Sequence, residues 1–370
     1  MRSHAGFAAV LLAFVLLLSS VAGCTPSATE TDADATPEPS ASASACDNTP
    51  QSTDAQAGGV PDATSEQNTA KPTIAFIITD DGALLTRCAM HGFLRTAENL
   101  NYPARLYKAE SGASPEELID KAVADGCSGF VIWADSAEMD SAVKYAKQQG
   151  LPVVAAMASG EMDSSVSMAD SVLSSDPDDY CAEAVRIMCE AAISRGNKDG
   201  TIIIARQEGA DQYIVDAFQK AINESYPAYT LTDMPIASSV SETEAAAKEY
   251  LKDEDHRKIA GVLALSPGAS TAWYNAEIAA EKAYSFKISP VIMALDYTEE
   301  NLSLVSNSKI LCLIARPYYT CAAQATMVLD SLLNGSDVQA EIRVNAPIIK
   351  RKDVEKYASI VSEVKTWFGM

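Results

Sequence analysis

Two adjacent carboxylates, Asp80 and Asp81, follow an apolar run at Ile74–Ile78 that is typical of a strand buried on both faces. A third acid, Asp135, follows a similar run at Gly129–Trp133. Carboxylate oxygens at neighbouring strand ends can hold a divalent cation that activates water, so metal-dependent hydrolysis is one chemistry these acids suggest. The alternative is structural: one of the first pair caps the next helix and the other is solvated, and Asp135 likewise caps a helix.

Other side chains near the ends of apolar runs can bind a ligand without doing chemistry. Asp296 either accepts hydrogen bonds from ligand hydroxyls or an amine, or caps the turn that starts near Thr298. Arg316 binds a ligand or pairs with acids of the site. Three aromatic residues stack on a ligand or pack in the core, namely Trp133, Trp273 and Tyr318. The sequence contains no apparent Ser-His-Asp or Cys-His arrangement, so we predict no catalytic residues.

The elements that must position these side chains alternate between apolar runs and helix signals, at roughly 30-residue spacing. This alternation predicts βαβ units and parallel sheets. The predicted strands are Ile74–Ile78, Ala104–Tyr107, Gly129–Trp133, Pro152–Ala156, Val166–Leu173, Thr201–Ala205, Tyr229–Thr232, Ile259–Leu265, Pro290–Leu295 and Ile310–Ala315. They are too numerous for one compact half, so we predict an α/β fold with two doubly wound lobes. Ligands of such sheets bind beyond the carboxyl ends of the strands, which makes strand-end residues the candidates.

Composition excludes several classes of function. The chain has 370 residues, of which 48% are hydrophobic and 21% charged, as in ordinary soluble globular proteins. Its net charge of −22 argues against nucleic acid as a partner, because phosphate backbones require Lys and Arg. No glycine-rich dinucleotide or NTP motif follows a predicted strand, and no cysteine spacing indicates zinc, so we predict no cofactor and no metal.

The first 71 residues are predicted to lie outside the fold. Arg2 and the apolar run Phe7–Leu18 are typical of a signal peptide, here residues 1–23, because the run is too short for a confident membrane span. Residues 24–71 are predicted to be a disordered tether, since Thr25–Ala70 contains eight acids, no Lys and no Arg. The segment Val21–Cys24 resembles a bacterial lipobox. That resemblance implies lipidation of Cys24 and a membrane-anchored protein on the extracytoplasmic face.

Six cysteines remain in the predicted folded region. Cys181 and Cys189 are eight residues apart on one predicted helix, about 12 Å along its axis, which is too far for a disulfide. We predict that most of the six are buried free thiols that pack as small hydrophobic side chains.

The order of the predicted elements resembles the type 1 periplasmic binding proteins, the ribose- and galactose-binding group. The segments that carry the resemblance are Gly92–Tyr107, Ser114–Ser136 and Pro290–Gly335. It implies two lobes joined by a three-segment hinge that close on a small ligand. The implied N-terminal lobe comprises residues 72–172 and 316–340, and the implied C-terminal lobe residues 173–315 and 341–350. Residues 351–370 are predicted to form a C-terminal helix.

The sugar-binding pattern of that group transfers poorly to this chain. Leu84 and Leu85 stand where the family often has an aromatic pair, and Met157 where an Asp-Arg pair usually follows the fourth strand. A binding Arg of the second lobe falls near Asp211 and Gln212. Ser266 replaces a strand-end Asn, and Asp296 alone clearly keeps its family identity. The predicted ligand-binding residues are Asp80, Asp81, Leu84, Trp133, Asp135, Met157, Gln212, Ser266, Trp273, Asp296, Arg316 and Tyr318.

These observations lead to one main functional hypothesis and two alternatives. The main hypothesis is a monomeric, lipid-anchored solute-binding protein of an ABC importer. It is expected to bind a small polar ligand that is sugar-like, a polyol or amine-bearing. The first alternative keeps the fold but makes the chain a ligand-sensing subunit for a membrane receptor or kinase. The second alternative is an exported metal-dependent hydrolase that uses Asp80, Asp81 and Asp135.

Overall fold

The computed structural model describes residues 71–370, except 110–113, 158–165, 238, 255, 257 and 285–288. These residues belong to one compact unit, Gln67–Met370. The predicted signal peptide, the lipidation site at Cys24 and the tether up to residue 70 lie outside the described residues. No helix in the described part of the chain is both long and apolar enough to cross a membrane.

The first sheet is parallel and contains the first five strands of the chain and one late strand. Its spatial order is β11-β5-β4-β3-β1-β2. Four of its strands are almost entirely buried, because helices cover both faces of the sheet. The strands are β1 (Thr73–Thr79), β2 (Ala104–Ala109), β3 (Cys127–Trp133), β4 (Val153–Ala156), β5 (Ser171–Ser174) and β11 (Glu341–Arg343). The helices of this lobe are α1 (Leu84–Asn99), α2 (Pro115–Ala124), α3 (Ala137–Gln148) and α9 (Tyr318–Leu333).

The second sheet repeats the arrangement, with the order β12-β10-β9-β8-β6-β7. All of its pairs are parallel except that of β10 with β12. The strands are β6 (Gly200–Arg206), β7 (Tyr229–Pro235), β8 (Ile259–Ala264), β9 (Val291–Leu295), β10 (Cys312–Ile314) and β12 (Ile348–Ile349). The helices are α4 (Pro177–Ser194), α5 (Gln212–Ser225), α6 (Val240–Tyr250), α7 (Ala269–Tyr284) and α8 (Glu299–Ser306). The predicted α/β fold with two parallel-sheet lobes is confirmed.

Three chain segments, which lie side by side, connect the two sheets. The first lies between β5 and α4, the second between β10 and α9, and the third between β11 and β12. They are tied by backbone hydrogen bonds: the Val344 N–H donates to the Ser174 carbonyl at 2.7 Å, and the Ala315 N–H donates to the Pro347 carbonyl at 3.0 Å. This connected hinge lies next to the carboxyl ends of the strands in both sheets.

Two boundaries differ from those predicted by sequence. The predicted strand Val166–Leu173 is instead a short 3-10 turn at Val166–Met168 followed by β5, because apolar content alone does not distinguish a buried turn from a strand. Residues 341–343, predicted for the C-terminal lobe, pair with β5 in the first sheet. The third crossing therefore lies after Arg343.

The C-terminal helix α10 (Val354–Phe368) contacts both lobes, packing on α8 in the second and on α1 in the first. Lys365 forms an ion pair with Glu299 of α8 at 2.7 Å. In the same last turn of α10, the Phe368 ring lies 5.2 Å from the Arg87 guanidinium. The helix was predicted to pack on one lobe, and it instead joins the two.

All six cysteines of the folded region are buried free thiols. Cys181 and Cys189 both lie on α4, as predicted from their spacing. Cys321 illustrates their role, because its thiol lies within 3.6 Å of the Met157 carbonyl in the core that joins α9 to the first sheet. Burial raises the pKa of this thiol to about 12, so it stays neutral.

Candidate functional site

The candidate site is centred on Arg316, which lies in the second crossing between β10 and α9. Its Nε donates to both carboxylate oxygens of Asp296, each at 3.1 Å, and its Nη2 also donates to that carboxylate. Its Nη1 lies 3.3 Å from Oδ1 of Asp211 and 3.4 Å from the Tyr213 hydroxyl. The Arg316 side chain is only 17% exposed, so these charge-assisted hydrogen bonds form largely out of water.

Asp296 follows β9 in a left-handed backbone conformation, with φ of 66°. This turn points its carboxylate at the Arg316 side chain and at the Arg316 backbone N–H, which donates at 3.3 Å. The helix-cap alternative is wrong, because Thr298 caps α8 by accepting from the Asn301 N–H. The Asp296 carboxylate is bound by Arg316, and its predicted contact with a ligand stays a prediction.

Asp211 precedes α5 and also has a left-handed backbone, with φ of 52°, a conformation that Asp tolerates better than most residues. Burial raises the pKa of its carboxyl, and Asp296 raises it further, while Arg316 opposes both. The second lobe therefore contributes two acids that share one guanidinium. Neither Asp211 nor Tyr213 was among the predicted site residues, although both border the predicted Gln212.

Gln212 itself supports a neighbouring ion pair. Its side-chain oxygen accepts from Arg206 Nη2 at 2.8 Å, and its amide donates to Asp216 at 2.7 Å. Arg206, which is 4% exposed, pairs with Asp233 of β7. The Gln212 side chain thus holds Arg206 in place beside the cluster. Its Oε1 and its Nε2 both already form hydrogen bonds within the protein.

An aromatic row connects this cluster to the first lobe. Tyr318 is half-buried at the start of α9, with the Arg316 guanidinium 5.6 Å from its ring centre. Its ring centre lies 5.2 Å from that of Trp133, which in turn packs edge-on against Phe76 at 6.2 Å. Trp133 is only 1% exposed, so the core alternative describes it better than ligand stacking does. Tyr318 is the aromatic residue of this row that retains accessible surface.

Asp135 lies two residues after β3 and is exposed to solvent. Burial raises the pKa of Asp135 to about 6, and the negative charges of Asp81 and Asp140 add to the effect. Ser136 caps α3 by accepting from the Met139 N–H, so the cap alternative for Asp135 is wrong. No ion pair to Asp135 or Asp81 is formed within the described residues.

Asp80 and Asp81 have different surroundings despite being adjacent. Asp80 forms ion pairs with Arg87 and with Lys108, each at 3.0 Å. Burial alone would raise the pKa of Asp80, but the hydrogen bonds from Lys108 and the Gly82 N–H, with the two cationic charges, lower it. Asp81 is exposed, and among the described residues its side chain accepts from the Ala83 N–H of its own turn, at 2.9 Å. Asp80 is therefore paired within the protein, whereas Asp81 has no ion-pair partner among the described residues.

The remaining predicted residues divide between core and rim. Trp273 is 2% exposed and packs against Tyr250, so its prediction as a ligand contact is wrong. Met157 is 4% exposed in the core of the first lobe, which likewise removes it from the site. Leu84 is half-buried against the apolar cluster of the second lobe. Ser266 accepts from the Gln207 N–H at 2.9 Å and holds the loop after β6.

Among the described residues, the acids of the first lobe do not form the metal site on which the hydrolase alternative depends. Within the described residues, no group of three or more Asp, Glu, His or Cys side chains is arranged to hold a metal ion. The geometry explains this result, because Asp80 is bound by Arg87 and Lys108 and so is unavailable to join Asp81 and Asp135. The hydrolase alternative loses the three-carboxylate arrangement on which it depended.

Comparison with solved structures identifies many that share this fold. An arabinose-binding protein from Geobacillus stearothermophilus is 17% identical with a TM-score of 0.61, and the match covers 77% of this chain and 99% of that one. An ABC transporter solute-binding protein from Actinobacillus succinogenes with bound D-allose is 16% identical, with a TM-score of 0.59 and coverages of 78% and 100%. A solute-binding protein from Bacillus halodurans with bound myo-inositol is 15% identical, with a TM-score of 0.58 and coverages of 80% and 99%.

A search of curated proteins found no match. A family profile described as "Periplasmic binding protein domain" matches residues 90–337, more than half of the chain. That range includes most of both sheets and the Arg316 cluster. Together with the two-sheet fold and the three crossings, this match shows that the chain belongs to the type 1 periplasmic binding protein family.

Proposed function

We propose that this protein is a lipid-anchored, extracytoplasmic solute-binding protein that delivers a small polyhydroxylated ligand to the permease of an ABC importer. The observation that carries the proposal is the cluster of Arg316, Asp296, Asp211 and Tyr213 at the carboxyl ends of the strands, beside the hinge. Guanidinium donors, carboxylate acceptors and a phenol match the hydroxyl groups of such a ligand. Family membership and the arabinose, allose and myo-inositol named for the structural relatives support the same ligand class.

Binding is proposed to close the two lobes about the three crossings. The crossings are short and hydrogen-bonded to one another, so a rotation can be absorbed by a few backbone angles without disturbing either sheet. Tyr318 follows the second crossing directly and contacts groups of both lobes, Trp133 in the first and Arg316 at the second. Its half-buried ring offers the apolar face on which the C–H side of a polyol packs. No chemical step is required of the protein.

A thermal-shift screen tests the binding role. Arabinose, allose, myo-inositol, nucleosides and amino acids are added to the mature chain, and calorimetry follows for each compound that stabilises it. We expect at least one polyhydroxylated compound to raise Tm in a saturable way. If amino acids or nucleosides alone bind, or no compound does, the proposed ligand class is wrong.

Two aromatic variants locate the binding surface. Tyr318→Ala should weaken binding of the compound found in that screen by about tenfold, because the ring at the hinge is removed. Trp273→Phe alters a core aromatic of the second lobe, and it should lower Tm while leaving affinity unchanged. Equal affinities for the two variants would contradict the proposed position of the ligand.

Membrane anchoring and transport are tested separately. Cys24→Ser should move the protein from the membrane fraction to the soluble fraction, whereas Cys46→Ser, a substitution in the same tether, should not. Deleting the gene should abolish uptake of the labelled ligand, and restoring the parent chain should recover it. Normal uptake in the deletion strain, together with retained binding, would favour the sensing role over import.

A further inference from the structure

A cavity of about 400 Å³ lies beside the third crossing, next to the first residues of α4. Its wall includes Ser175 of the first crossing, Tyr180 of α4 and residues 343–348 of the third crossing. Arg343 ends β11 in the first sheet and Ile348 begins β12 in the second, so the wall contains residues of both lobes. The volume lies within the range of small-molecule pockets in proteins.

Two buried hydroxyl groups in this wall lack hydrogen-bond partners. Ser175 is 2% exposed and Tyr180 is 4% exposed, and neither hydroxyl has a partner within the described residues. Burial raises the pKa of the Tyr180 hydroxyl, so it stays neutral and can both donate and accept. A buried polar group without a partner costs stability, and a bound molecule that supplies the missing hydrogen bond removes that cost. The two hydroxyls therefore indicate a ligand with hydrogen-bonding groups of its own.

The charged side chains of the wall are nearly balanced. Arg343 pairs with Asp176 at 3.1 Å, and Glu183 pairs with Arg186 at 2.7 Å on the same helix. The remaining charged residues of the wall are two lysines and two aspartates, namely Lys350, Lys352, Asp179 and Asp353. A ligand with a net charge of either sign would meet side chains of its own sign. Both lysines and Asp179 are exposed, so the charges lie at the rim and the neutral hydroxyls lie deeper.

The cavity is distinct from the Arg316 cluster, although Tyr180 lies close to both. Among the described residues, neither Arg316 nor Asp296 lines the cavity. Two of the three crossings contribute to its wall, so a rotation of the lobes about the crossings changes its shape. An occupant that fits one shape better than another favours the corresponding angle between the lobes.

We propose that this cavity is a second binding site, at the hinge, for a small neutral polyol. The hydroxyl groups of the polyol complete the hydrogen bonds of Ser175 and Tyr180, and its lack of charge suits the balanced wall. Because occupancy favours one angle between the lobes, it changes the affinity of the cleft for its own ligand. The site goes beyond the proposed function and does not depend on which ligand the cleft binds.

Matched four-carbon probes test the ligand class. Erythritol is titrated into the mature chain by calorimetry, beside erythronate, which carries a carboxylate, and threonine, which is a zwitterion. We expect saturable binding of erythritol and at least tenfold weaker binding of the two charged probes. Saturation distinguishes this binding from the general stabilisation by polyols that are excluded from protein surfaces. Absence of saturable erythritol binding, or equal or tighter binding of a charged probe, overturns the inference.

Two tyrosine variants test the position of the site. Tyr180→Phe should lower the affinity for erythritol about tenfold, and in polyol-free buffer it should not lower Tm, because the hydroxyl that it removes has no partner. Tyr229→Phe is the matched control. Tyr229 is equally buried in the same core cluster, but its hydroxyl donates to the Asn197 carbonyl at 2.6 Å, so the substitution should lower Tm and leave erythritol affinity unchanged. Unchanged affinity in Tyr180→Phe, or a lower Tm for it without polyol, overturns the inference.

A cleft variant distinguishes the hinge site from the cleft. Tyr318→Ala, which is expected to weaken binding in the cleft, should leave the erythritol affinity unchanged. Loss of erythritol binding in Tyr318→Ala would place the polyol in the cleft, which overturns the inference and leaves the proposed function standing. In the parent chain, saturating erythritol should change the affinity for the cleft ligand, and Tyr180→Phe should abolish that change. A cleft affinity that does not respond to erythritol overturns the coupling between the two sites.

Discussion

The charged side chains on the two sides of the cleft differ in whether they have ion-pair partners. On the second lobe, Arg316 is held between Asp296 and Asp211, so the main charges of that side compensate one another within the protein. On the first lobe, Asp80 has two cationic partners, whereas its neighbour Asp81 and the nearby Asp135 have none within the described residues. A compensated cluster is prearranged and contributes to stability, while uncompensated acids cost stability that a ligand can restore. The comparison therefore separates acids that are paired within the protein from acids that have no ion-pair partner among the described residues.

The largest expected loss of stability follows from a substitution of Arg316. Arg316→Met leaves Asp296 and Asp211 close together without a cation, and should lower the free energy of unfolding by about 3–5 kcal/mol. Urea denaturation measures this loss. Arg343→Met is the matched control, because its pairs with Asp176 and Glu341 are exposed and should be worth less than about 1 kcal/mol. Equal losses for both variants would mean that the second-lobe cluster is not a stabilising element.

Asp80→Asn should have the next largest effect, since Asp80 is the compensated acid of the first lobe. Removing its charge leaves Arg87 and Lys108 without their shared partner and should cost about 1–2 kcal/mol at pH 7. The pKa of Asp80 is lowered by folding, so its stabilising contribution is present above the ordinary value of 3.8 and is lost as pH falls through the folded value. The gap between parent and variant should therefore narrow in acid. A gap independent of pH would contradict the ion-pair explanation.

Asp135→Asn should produce a change of opposite sign, and it should be the smallest because Asp135 is exposed and solvent screens its charge. Folding raises the pKa of Asp135 from 3.8 to about 6, so its favourable contribution is present below pH 3.8 and is lost as pH rises through 6. At pH 7 the ligand-free variant should be slightly more stable than the parent, and at pH 3.5 the two should agree. Thermal unfolding at both pH values measures the difference. A variant less stable than its parent at pH 7 would show that Asp135 is compensated after all.

Much of the fold was predictable from the pattern of apolar runs. The strands β1 to β4 and β6 to β10 coincide with predicted runs, because a strand buried on both faces requires continuous apolar residues. The strands β11 and β12 were missed because they have three and two residues and carry no such run. They form because they pair with β5 and β10. Local sequence patterns do not predict a pairing partner that is distant along the chain.

The candidate site was predicted at the level of position and less well at the level of contacts. Arg316, Asp296 and Tyr318 were predicted from their places at strand ends, and the structure brings them together. Trp273 and Met157 satisfied the same criterion but are buried in the cores. Residues at a strand end differ in which way they face, and that direction depends on the packing of the following helix.

The sequence by itself determined the two-lobe parallel fold, the resemblance to a binding-protein family and the acidic composition of the segments after the first-sheet strands. Local composition and periodicity are enough for these, because each depends on residues close together in the chain. Only the tertiary structure decided which charges meet. Arg316 reaches Asp296 across 20 residues and Asp211 across 105, while adjacent Asp80 and Asp81 acquire different partners. Compensation of charge is a property of three-dimensional neighbours, and it distinguishes the acids of this cleft that are paired within the protein from those that have no ion-pair partner among the described residues.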